Sequence, residues 1–434
     1  MKKFLYSVFM LAAVVLAACS NDDNGDTQPK RGMTLNASVE DLSSRATMTD
    51  ESGTWKFAFA ENDQVSVNNN KISNYYTFTN NGSQFTSADA MVTTEAADWY
   101  AYFPGNEVDL TNQTGDFANV ANYFAVAGKT AAATTGEKGL SITLKSKVAV
   151  LRVVAVDKNG ILDIHVKTAD SKWVKGLTAT KNAADFAVSK SDTKTTLLYK
   201  AAGTVNAGEI NYVVVPAGVK IAIYNGNLLL NTTKDAGLAE GQYYTITSGP
   251  TKGTENALIN GVEKKINWVQ LWAGGPRFAT ENVAEEMTWT EAAKTGSDYV
   301  WGANWRTPTA EEVEEKGGLL FDWNTGQAQA GSPTFTITTA PDGTEETVVF
   351  TGMQLGYTKN TLTLYKKVVN GYNQFDFWTS TNDGGYGCKF IIWRKDNITW
   401  GFGISKRHDP NTEYHLVRPV LSIQNITNIT NNKK

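Results

Sequence analysis

The amino-acid sequence predicts a mainly β protein, with two β-sandwich domains followed by a third domain of the α+β type. Residues 33–248 contain short apolar-polar alternations punctuated by glycine and asparagine, without helical periodicity of useful length. Glycine (37 residues) and aromatic residues (12 Trp, 17 Tyr and 18 Phe) are abundant, while only 19% of the residues are charged. This balance suits extracellular β-rich domains. Nine of the twelve tryptophans fall between Trp268 and Trp400, so the composition changes in the last part of the chain.

The charge balance and the rarity of cysteine and histidine argue against several kinds of function. The 434 residues include 40 basic and 44 acidic ones, and a net charge of −4 without a basic face argues against a nucleic-acid binder. Two cysteines, one of them in the leader, cannot build a disulfide scaffold or a Cys-rich zinc site. Of the three histidines, His408 and His415 are seven residues apart and have no evident third ligand, so we predict no metal and no cofactor.

Residues 1–18 have the pattern of a secretory signal peptide, with two lysines before a short apolar run. The run is too short to span a membrane. The segment Leu16-Ala17-Ala18-Cys19 resembles a bacterial lipobox, which implies that Cys19 carries lipid, including palmitate, and anchors the protein in the outer membrane. The alternative is an ordinary signal peptide that contains a cysteine. Residues 19–32 include an acidic stretch without apolar residues and are predicted to be a flexible tether.

The two sandwich domains are predicted over residues 33–156 and 157–250. Residues 141–153 alternate at first and then become apolar on both faces, as strands of a core do. Ile210–Pro216 is an apolar strand that stops at a proline turn, and the next strand resumes directly after it. Repeated short strands of this kind favour β-sandwich architecture.

The third domain is predicted over residues 251–423, and residues 424–434 are predicted to be a polar tail. A stretch with the composition of a linker precedes it. Two Thr-x-x-Glu capping boxes, at Thr288–Glu291 and Thr309–Glu312, indicate the starts of two short helices. The remainder is typical of tryptophan-rich strands, which makes this domain α+β.

The first half of the chain contains several short motifs. They are Ser44-Arg45-Ala46-Thr47, Trp55, Asp63-Gln64-Val65-Ser66-Val67, Trp99-Tyr100-Ala101-Tyr102-Phe103-Pro104 and Val213-Val214-Val215-Pro216. Together with the lipobox, they resemble the fimbrillins, the two-domain β-sandwich pilus subunits of Gram-negative anaerobes. The resemblance implies a surface lipoprotein that is assembled into a fimbrium after processing.

The second half carries a more specific set of motifs. They are Trp268-Val269-Gln270-Leu271-Trp272, Gly274-Gly275-Pro276-Arg277-Phe278-Ala279, Trp301 to Thr309, Phe377-Trp378-Thr379-Ser380-Thr381 and Val417-Arg418-Pro419-Val420. Residues 260–422 thereby resemble the C-type-lectin-like domain of the FISUMP type. The Glu-Pro-Asn or Gln-Pro-Asp and Trp-Asn-Asp triplets of calcium-dependent lectins are missing, so the resemblance does not imply calcium-mediated sugar binding.

Met33, Leu35, Ala37 and Val39 alternate with polar residues and therefore share one face of a predicted half-buried strand. The fimbrillin resemblance implies that an arginine-specific protease cuts after Arg45 and releases this strand. The vacated groove would be apolar with unpaired backbone edges, and a strand of the next subunit would fill it. The alternative is that Arg45 is an exposed arginine of a static sandwich.

The candidate ligand-binding residues are Trp393, Arg394, Trp400 and Tyr386. A tryptophan beside an arginine on late strands offers sugar stacking and hydrogen-bond donors. Tyr386 follows two glycines in a loop that could present its ring. Core packing for the first three residues, and a plain turn at Tyr386, are the alternatives.

Other aromatic and reactive side chains are predicted to be structural. We place Trp289, Trp301, Trp305 and Trp323 in the core, because tryptophan buries a large area. Cys388 enters an apolar strand and is predicted to be a buried thiol, not a nucleophile. No catalytic residue is predicted, and an enzyme is not expected.

These patterns together indicate a fimbrillin-like lipoprotein of the outer membrane, acting as a pilus tip subunit or adhesin with a lectin-like head. Its expected partners are other fimbrial subunits, an arginine-specific maturation protease and a glycan or host-protein ligand. The alternative is a lipoprotein that never polymerises and captures glycans at the cell surface as nutrients.

Overall fold

The computed structural model describes most of the chain from Arg31 onward. The described residues are 31–39, 49–50, 53–54, 59–71, 74–91, 97–133, 139–157, 160–314, 321–322, 327–328, 334–339, 346–352, 360–365, 367–369, 372–394 and 400–422. They form a mainly β structure with two short α-helices and two short 3₁₀ helices. Within these ranges no helix has the length and apolar character that a membrane crossing requires.

The first group of strands closes into a barrel. The strands of this part of the chain are β1 (Arg31–Val39), β2 (Thr49–Asp50), β3 (Gly53–Thr54), β4 (Gln64–Asn69), β5 (Tyr76–Asn80), β6 (Phe85–Met91), β7 (Ala97–Phe103), β8 (Glu107–Asp109), β9 (Val126–Ala133) and β10 (Leu140–Ser146). The barrel order is β1-β10-β9-β7-β4-β5-β6. Where the sequence predicts two sheets of a sandwich, the hydrogen bonds run continuously through β1. Closure leaves no free edge.

Strict alternation along β10 contributes one side of the barrel core. In β10 the buried residues Leu140, Ile142 and Leu144 alternate with exposed ones, the pattern of a strand with one face toward a core. Trp99 and Tyr102 are fully buried. The Tyr102 hydroxyl lies 2.9 and 2.7 Å from the Thr180 and Ala183 carbonyl oxygens, and burial raises its pKa. The phenol therefore stays a neutral donor and ties the barrel to the next group of strands.

The second group of strands forms two sheets. Its strands are β11 (Val148–Val154), β12 (Leu162–Thr168), β13 (Trp173–Ala179), β14 (Phe186–Ser191), β15 (Leu198–Lys200), β16 (Ile210–Pro216), β17 (Ile221–Asn225), β18 (Leu228–Thr232) and β19 (Tyr243–Thr247). One sheet has the order β16-β11-β19, and the other has the order β14-β13-β12-β17-β18, with β15 paired to β12 and β8 paired to β13.

Strand β11 belongs to the second group, because its pairing partners are strands of that group. The predicted first domain, residues 33–156, includes it. It pairs antiparallel with β16 and parallel with β19. All its residues except Arg152 are buried. A strand with neighbours on both sides and covered faces is apolar throughout, which explains the doubly apolar run at this position.

The free edge of β16 is covered by the side chain of Gln113. Its Nε2 donates to the carbonyl oxygens of Leu110 (2.9 Å) and Val214 (2.8 Å), and its Oε1 accepts from the Val214 N–H (2.8 Å). The Tyr212 N–H donates to the Gly115 carbonyl at 2.8 Å alongside. The amide of Gln113 therefore replaces one residue of a neighbouring strand.

The third group combines strands with two short helices. Its elements are β20 (Lys252–Ile259), β21 (Val262–Gln270), β22 (Arg277–Ala279), α1 (Trp289–Ala292), β23 (Trp305–Arg306), α2 (Ala310–Glu314), β24 (Phe321–Asp322), β25 (Gln327–Ala328), β26 (Thr334–Thr339), β27 (Glu346–Thr351), β28 (Thr361–Tyr365), β29 (Lys367–Val369), β30 (Tyr372–Asp383), β31 (Tyr386–Arg394), β32 (Trp400–His408) and β33 (Val420–Leu421). The sheets include β20-β21-β22-β33-β23 and β29-β30-β31-β32.

Both predicted capping boxes are present at the helix starts. At α1, Thr288 accepts from the Glu291 N–H and the Glu291 carboxylate accepts from the Thr288 N–H. At α2, Thr309 Oγ1 accepts from the Glu312 N–H (3.1 Å) and Glu312 Oε2 accepts from the Thr309 N–H (2.9 Å). Each box satisfies orphan N–H groups of a helix N-terminus.

A set of polar contacts joins the second and third groups. Arg277 Nη2 donates to Asp157 Oδ1 at 2.8 Å. The Val156 carbonyl accepts from Gln270 Nε2 (3.1 Å) and from the Gly274 N–H (2.8 Å). The predicted linker before the third domain leads directly into β20, so the described backbone crosses this junction as a strand.

We predict that Gln113→Ala lowers the free energy of unfolding by about 2–4 kcal/mol, because the buried N–H and C=O of Val214 lose their partner. Urea denaturation followed by tryptophan fluorescence measures the change. Gln64→Ala, at an exposed strand position, is the control and should stay within about 0.5 kcal/mol of the native protein. Equal stability of the two variants would contradict the role assigned to Gln113.

Candidate functional site

Strand β1 is the element that closes the barrel. Its first half pairs antiparallel with β6, and its second half pairs parallel with β10. Leu35 is paired on both sides, with Phe85 and with Leu140. Removal of these nine residues would therefore leave unpaired backbone along both β6 and β10.

The inward face of β1 is the alternating set of residues that the sequence singles out. Met33 and Leu35 are buried, at 1% and 0% exposure, and Ala37 and Val39 are partly buried against the same core. Asn36 and Ser38 are exposed. The strand thus has one apolar and one polar face.

The groove under β1 would be strongly apolar without the strand. Phe85, Leu140, Ile142 and Leu144 belong to the same buried cluster as Leu35. Burial of a large aliphatic side chain contributes about 1.5–3 kcal/mol, so Met33 and Leu35 together contribute about 3–6 kcal/mol. An empty groove would lose that contribution and would also present free strand edges.

Two residues of the predicted processing scheme, Cys19 and Arg45, lie outside the described residues, as does Trp323. The described chain ends β1 at Val39, six positions before Arg45. Cleavage after Arg45 would leave all of β1 on the released fragment.

The last described residues of the chain belong to a sheet of the third group, and the predicted polar tail at residues 424–434 lies outside the described residues. Val420 is fully buried and pairs with Phe278 of β22 and Arg306 of β23. Strand β33 therefore lies between β22 and β23 inside a five-stranded sheet of the third group. It could donate itself to a neighbour only by opening that sheet.

The candidate ligand-binding residues lie at the two ends of β31 and at the start of β32. Tyr386 is the first residue of β31, follows the turn at Gly384 and Gly385, and is 46% exposed. Trp393 and Arg394 end the same strand, and Arg394 is paired with Trp400 of β32. At about 3.3 Å per residue, Tyr386 and Trp393 are roughly 23 Å apart. Arg394 and Trp400 are therefore neighbours, and Tyr386 does not share a site with them.

The motif tryptophans of the third group are core residues. Trp301 and Trp305 are buried with their rings edge to face at 5.5 Å, and Trp305 Nε1 donates to the Asn256 carbonyl. Trp289 is partly buried, and its Nε1 donates to the Thr379 carbonyl at 2.8 Å. A Cβ at Gly387 would lie 2.5 Å from Trp289 Cγ, so the indole requires glycine there. Cys388 is fully buried.

A cluster of buried charged side chains lies in the third group and was not predicted from the sequence. Asp376 Oδ2 lies 2.9 Å from His415 Nδ1 and 3.2 Å from Lys389 Nζ. Burial tends to raise the pKa of Asp376, but His415 and Lys389 outweigh it and hold this pKa below its usual value. Asp376 and Lys389 each interrupt an apolar run, and that interruption is the signal that could have found them.

Two more side chains extend this cluster toward the surface. Glu413 Oε2 lies 2.7 Å from His408 Nδ1 and 3.5 Å from His415 Nε2. Burial lowers the pKa of His408 below its usual value despite the nearby Glu413 carboxylate. Glu413 is a third possible ligand beside the two histidines. The spacing of the histidines in the sequence does not reveal it, because the turn at 409–413 brings Glu413 back to them.

Comparison with known proteins gives only distant similarities. No protein-family model matches the sequence, and no curated protein matches it. Among solved structures, a fimbrial protein from Bacteroides ovatus aligns with 12% identity and a TM-score of 0.27, over 91% of this chain and 100% of its own. A provisionally assigned cell adhesion protein from the same species aligns with 10% identity and a TM-score of 0.32, over 55% and 96%.

A provisionally assigned polysaccharide-binding protein from Bacteroides thetaiotaomicron aligns with 8% identity and a TM-score of 0.28, over 50% of this chain and 91% of its own. None of these scores reaches 0.5. The function proposed below therefore rests on the residues and contacts of this chain.

Proposed function

We propose that this chain is a fimbrillin-like surface lipoprotein, a pilus tip subunit or adhesin that is assembled by exchange of its first strand. The observation that carries the proposal is the position of β1, which closes the barrel with an apolar face. Arg45 follows this strand in the sequence and offers an arginine-specific protease a site that severs β1 from the rest of the chain.

Strand exchange follows from the contacts of β1. After cleavage at Arg45, only non-covalent contacts hold β1 in the barrel. A strand from a neighbouring subunit can replace it by β-augmentation, in which main-chain hydrogen bonds provide affinity and alternate side-chain pockets provide specificity. The pockets are those of Met33 and Leu35, so the incoming strand needs large apolar residues two positions apart.

The tip or accessory position is supported by the engagement of the C-terminal segment. A shaft subunit must donate a strand to its neighbour, whereas a tip subunit need only accept one. Strand β33 lies within a sheet of the third group, so its removal would cost buried contacts of Val420. Residues 251–423 form the lectin-like head in this proposal, and lipid on Cys19 holds the unprocessed protein at the outer membrane.

Cleavage after Arg45 is predicted to convert the monomer into oligomers, because the freed β1 leaves a groove that another copy or subunit fills. Treatment of the full chain with an arginine-specific protease should release a fragment that ends at Arg45. Mass spectrometry identifies the fragment, and size-exclusion chromatography with light scattering measures the oligomer. A synthetic peptide of residues 31–39 should compete for the groove and suppress oligomerisation.

The matched controls for this experiment are Arg45→Gln and Arg31→Gln. Cleavage after Arg31 would leave most of β1 attached to the chain, so loss of this site should not affect assembly. Arg31→Gln should therefore still form oligomers after protease treatment. Arg45→Gln should stay monomeric, because β1 cannot be released. A protein that is cut after Arg45 and stays a folded monomer would contradict the pilus proposal and favour the capture of glycans by a non-polymerising lipoprotein.

Leu35→Ala is predicted to destabilise the barrel by about 2–5 kcal/mol, because it removes a fully buried aliphatic side chain from β1. Asn36→Ala, at the adjacent exposed position, should change stability by no more than about 0.5 kcal/mol. Thermal and urea unfolding measure both. In the exchange experiment, a 31–39 peptide carrying the Leu35→Ala change should compete less well than the native peptide.

Adhesion by the head is predicted to depend on the paired ends of β31 and β32. Binding of the full chain to arrays of glycans and host proteins should fall at least about 10-fold in Arg394→Ala, since arginine is enriched among the few interface residues whose truncation costs about 2 kcal/mol or more. Lys406→Ala, at an exposed position on β32, is the control. Unchanged binding in Arg394→Ala would move the ligand site elsewhere on the head.

A further inference from the structure

We propose that His408, Glu413 and His415 form a binding site for one divalent transition-metal ion, with Zn²⁺ as the ion that fits best. Two imidazoles and a carboxylate are a common protein donor set for zinc, with a fourth position for water or an external ligand. This site lies in the third group, away from β1, and does not depend on strand exchange.

The donor atoms already converge. His408, Glu413 and His415 each offer one ligand atom, and the three atoms lie within 4.8 Å of one another. The Glu413 oxygen is 2.7 Å from His408 Nδ1 and 3.5 Å from His415 Nε2. Ligand atoms at about 2.0–2.1 Å from a tetrahedral zinc are about 3.3 Å apart. The Glu413–His408 pair is shorter than this spacing and the Glu413–His415 pair is close to it, so adjustments of side chains, without a change of backbone, bring the three donors to a zinc ion.

The other nitrogen of each imidazole lies close to an oxygen atom that can orient the ring. His415 Nδ1 is 2.9 Å from Asp376 Oδ2, and His408 Nε2 is 2.8 Å from Ser405 Oγ. Metal-binding histidines commonly donate their second N–H to such a group, which fixes the tautomer and directs the remaining lone pair at the metal. Asp376 is suited to this role because its side chain is fully buried.

Packing holds the inner ligand and leaves the outer side open. The Trp378 ring lies edge to face against His415 at 4.7 Å, and Trp378 Nε1 donates to the Met287 carbonyl. The His415 side chain is 7% exposed, that of His408 17% and that of Glu413 40%. An ion can therefore enter past Glu413, the most exposed of the three ligands.

Lys389 is the group that competes with the ion. Its Nζ lies 3.2 Å from His415 Nε2 and 3.2 Å from Asp376 Oδ2. In the metal-free protein the ammonium donates to the lone pair that the ion would use. When the ion binds, Lys389 keeps its ion pair with Asp376 and gives up its hydrogen bond to His415. The carboxylates of Asp376 and Glu413 carry two negative charges, and the Lys389 ammonium carries one positive charge. The remaining negative charge favours binding of a divalent cation.

Titration of the tag-free, EDTA-treated full chain with ZnCl₂ tests the site by isothermal calorimetry, and CoCl₂ reports the ligand geometry through its visible spectrum. One ion per chain is expected. His408→Gln and Glu413→Gln should weaken binding by more than the 10–100-fold that outer partners usually contribute. Asp376→Asn, a change in a positioning residue, should weaken it about 10–100-fold with the cobalt spectrum retained.

Glu281→Gln, which changes an exposed carboxylate in the same part of the chain, is the matched control and should bind as the native protein does. Circular dichroism confirms that each variant is folded. His408→Gln and Glu413→Gln alter partly exposed side chains, so they keep the test decisive if Asp376→Asn fails to fold. Absence of stoichiometric binding, or equal binding by the native protein and both of these variants, would overturn the proposal.

Discussion

The hydrogen bonds of β1 to β6 and β10 are the constraint on which the first part of the molecule depends. A barrel has no exposed edge only while every strand is in place. Here one nine-residue strand supplies both the closing backbone pairs and two fully buried side chains. The same residues therefore determine whether the barrel is closed and whether its core is complete.

The rest of the described molecule is connected to this barrel through buried polar contacts. Tyr102 reaches backbone carbonyls of the second group, and Val156 and Asp157 accept hydrogen bonds from the third. Such contacts are directional, because buried polar groups lose stability when their partners move away. They give a head at the C-terminal end a defined connection to the barrel in which assembly is proposed to occur.

The residues that make the third group resemble a lectin-like domain are mostly buried. Trp268, Trp272 and Arg418 are almost completely enclosed, and Arg418 donates to the carbonyl oxygens of Ala279 and Thr363. The buried members of these motifs specify how the domain packs. The residues proposed for recognition and metal binding lie elsewhere, at the paired ends of β31 and β32 and around His415.

The inward-facing side chains of single strands and the starts of the helices follow from neighbouring residues in the sequence. The alternation in β1 and β10 predicts which side chains face inward, and the Thr-x-x-Glu spacing predicts both helix starts, because side chains one or three positions apart have a fixed geometry. Strand partners and the charged cluster follow only from the tertiary structure, because they depend on contacts between residues of different elements. The closure of the barrel through β1 and the pairing of β11 with the second group join segments far apart in the chain. The meeting of Asp376, Lys389, His408, Glu413 and His415 depends on how consecutive strands pair and on the turn that follows β32. No local pattern records these contacts, because strand partners and buried charge pairs are selected by packing across the whole fold.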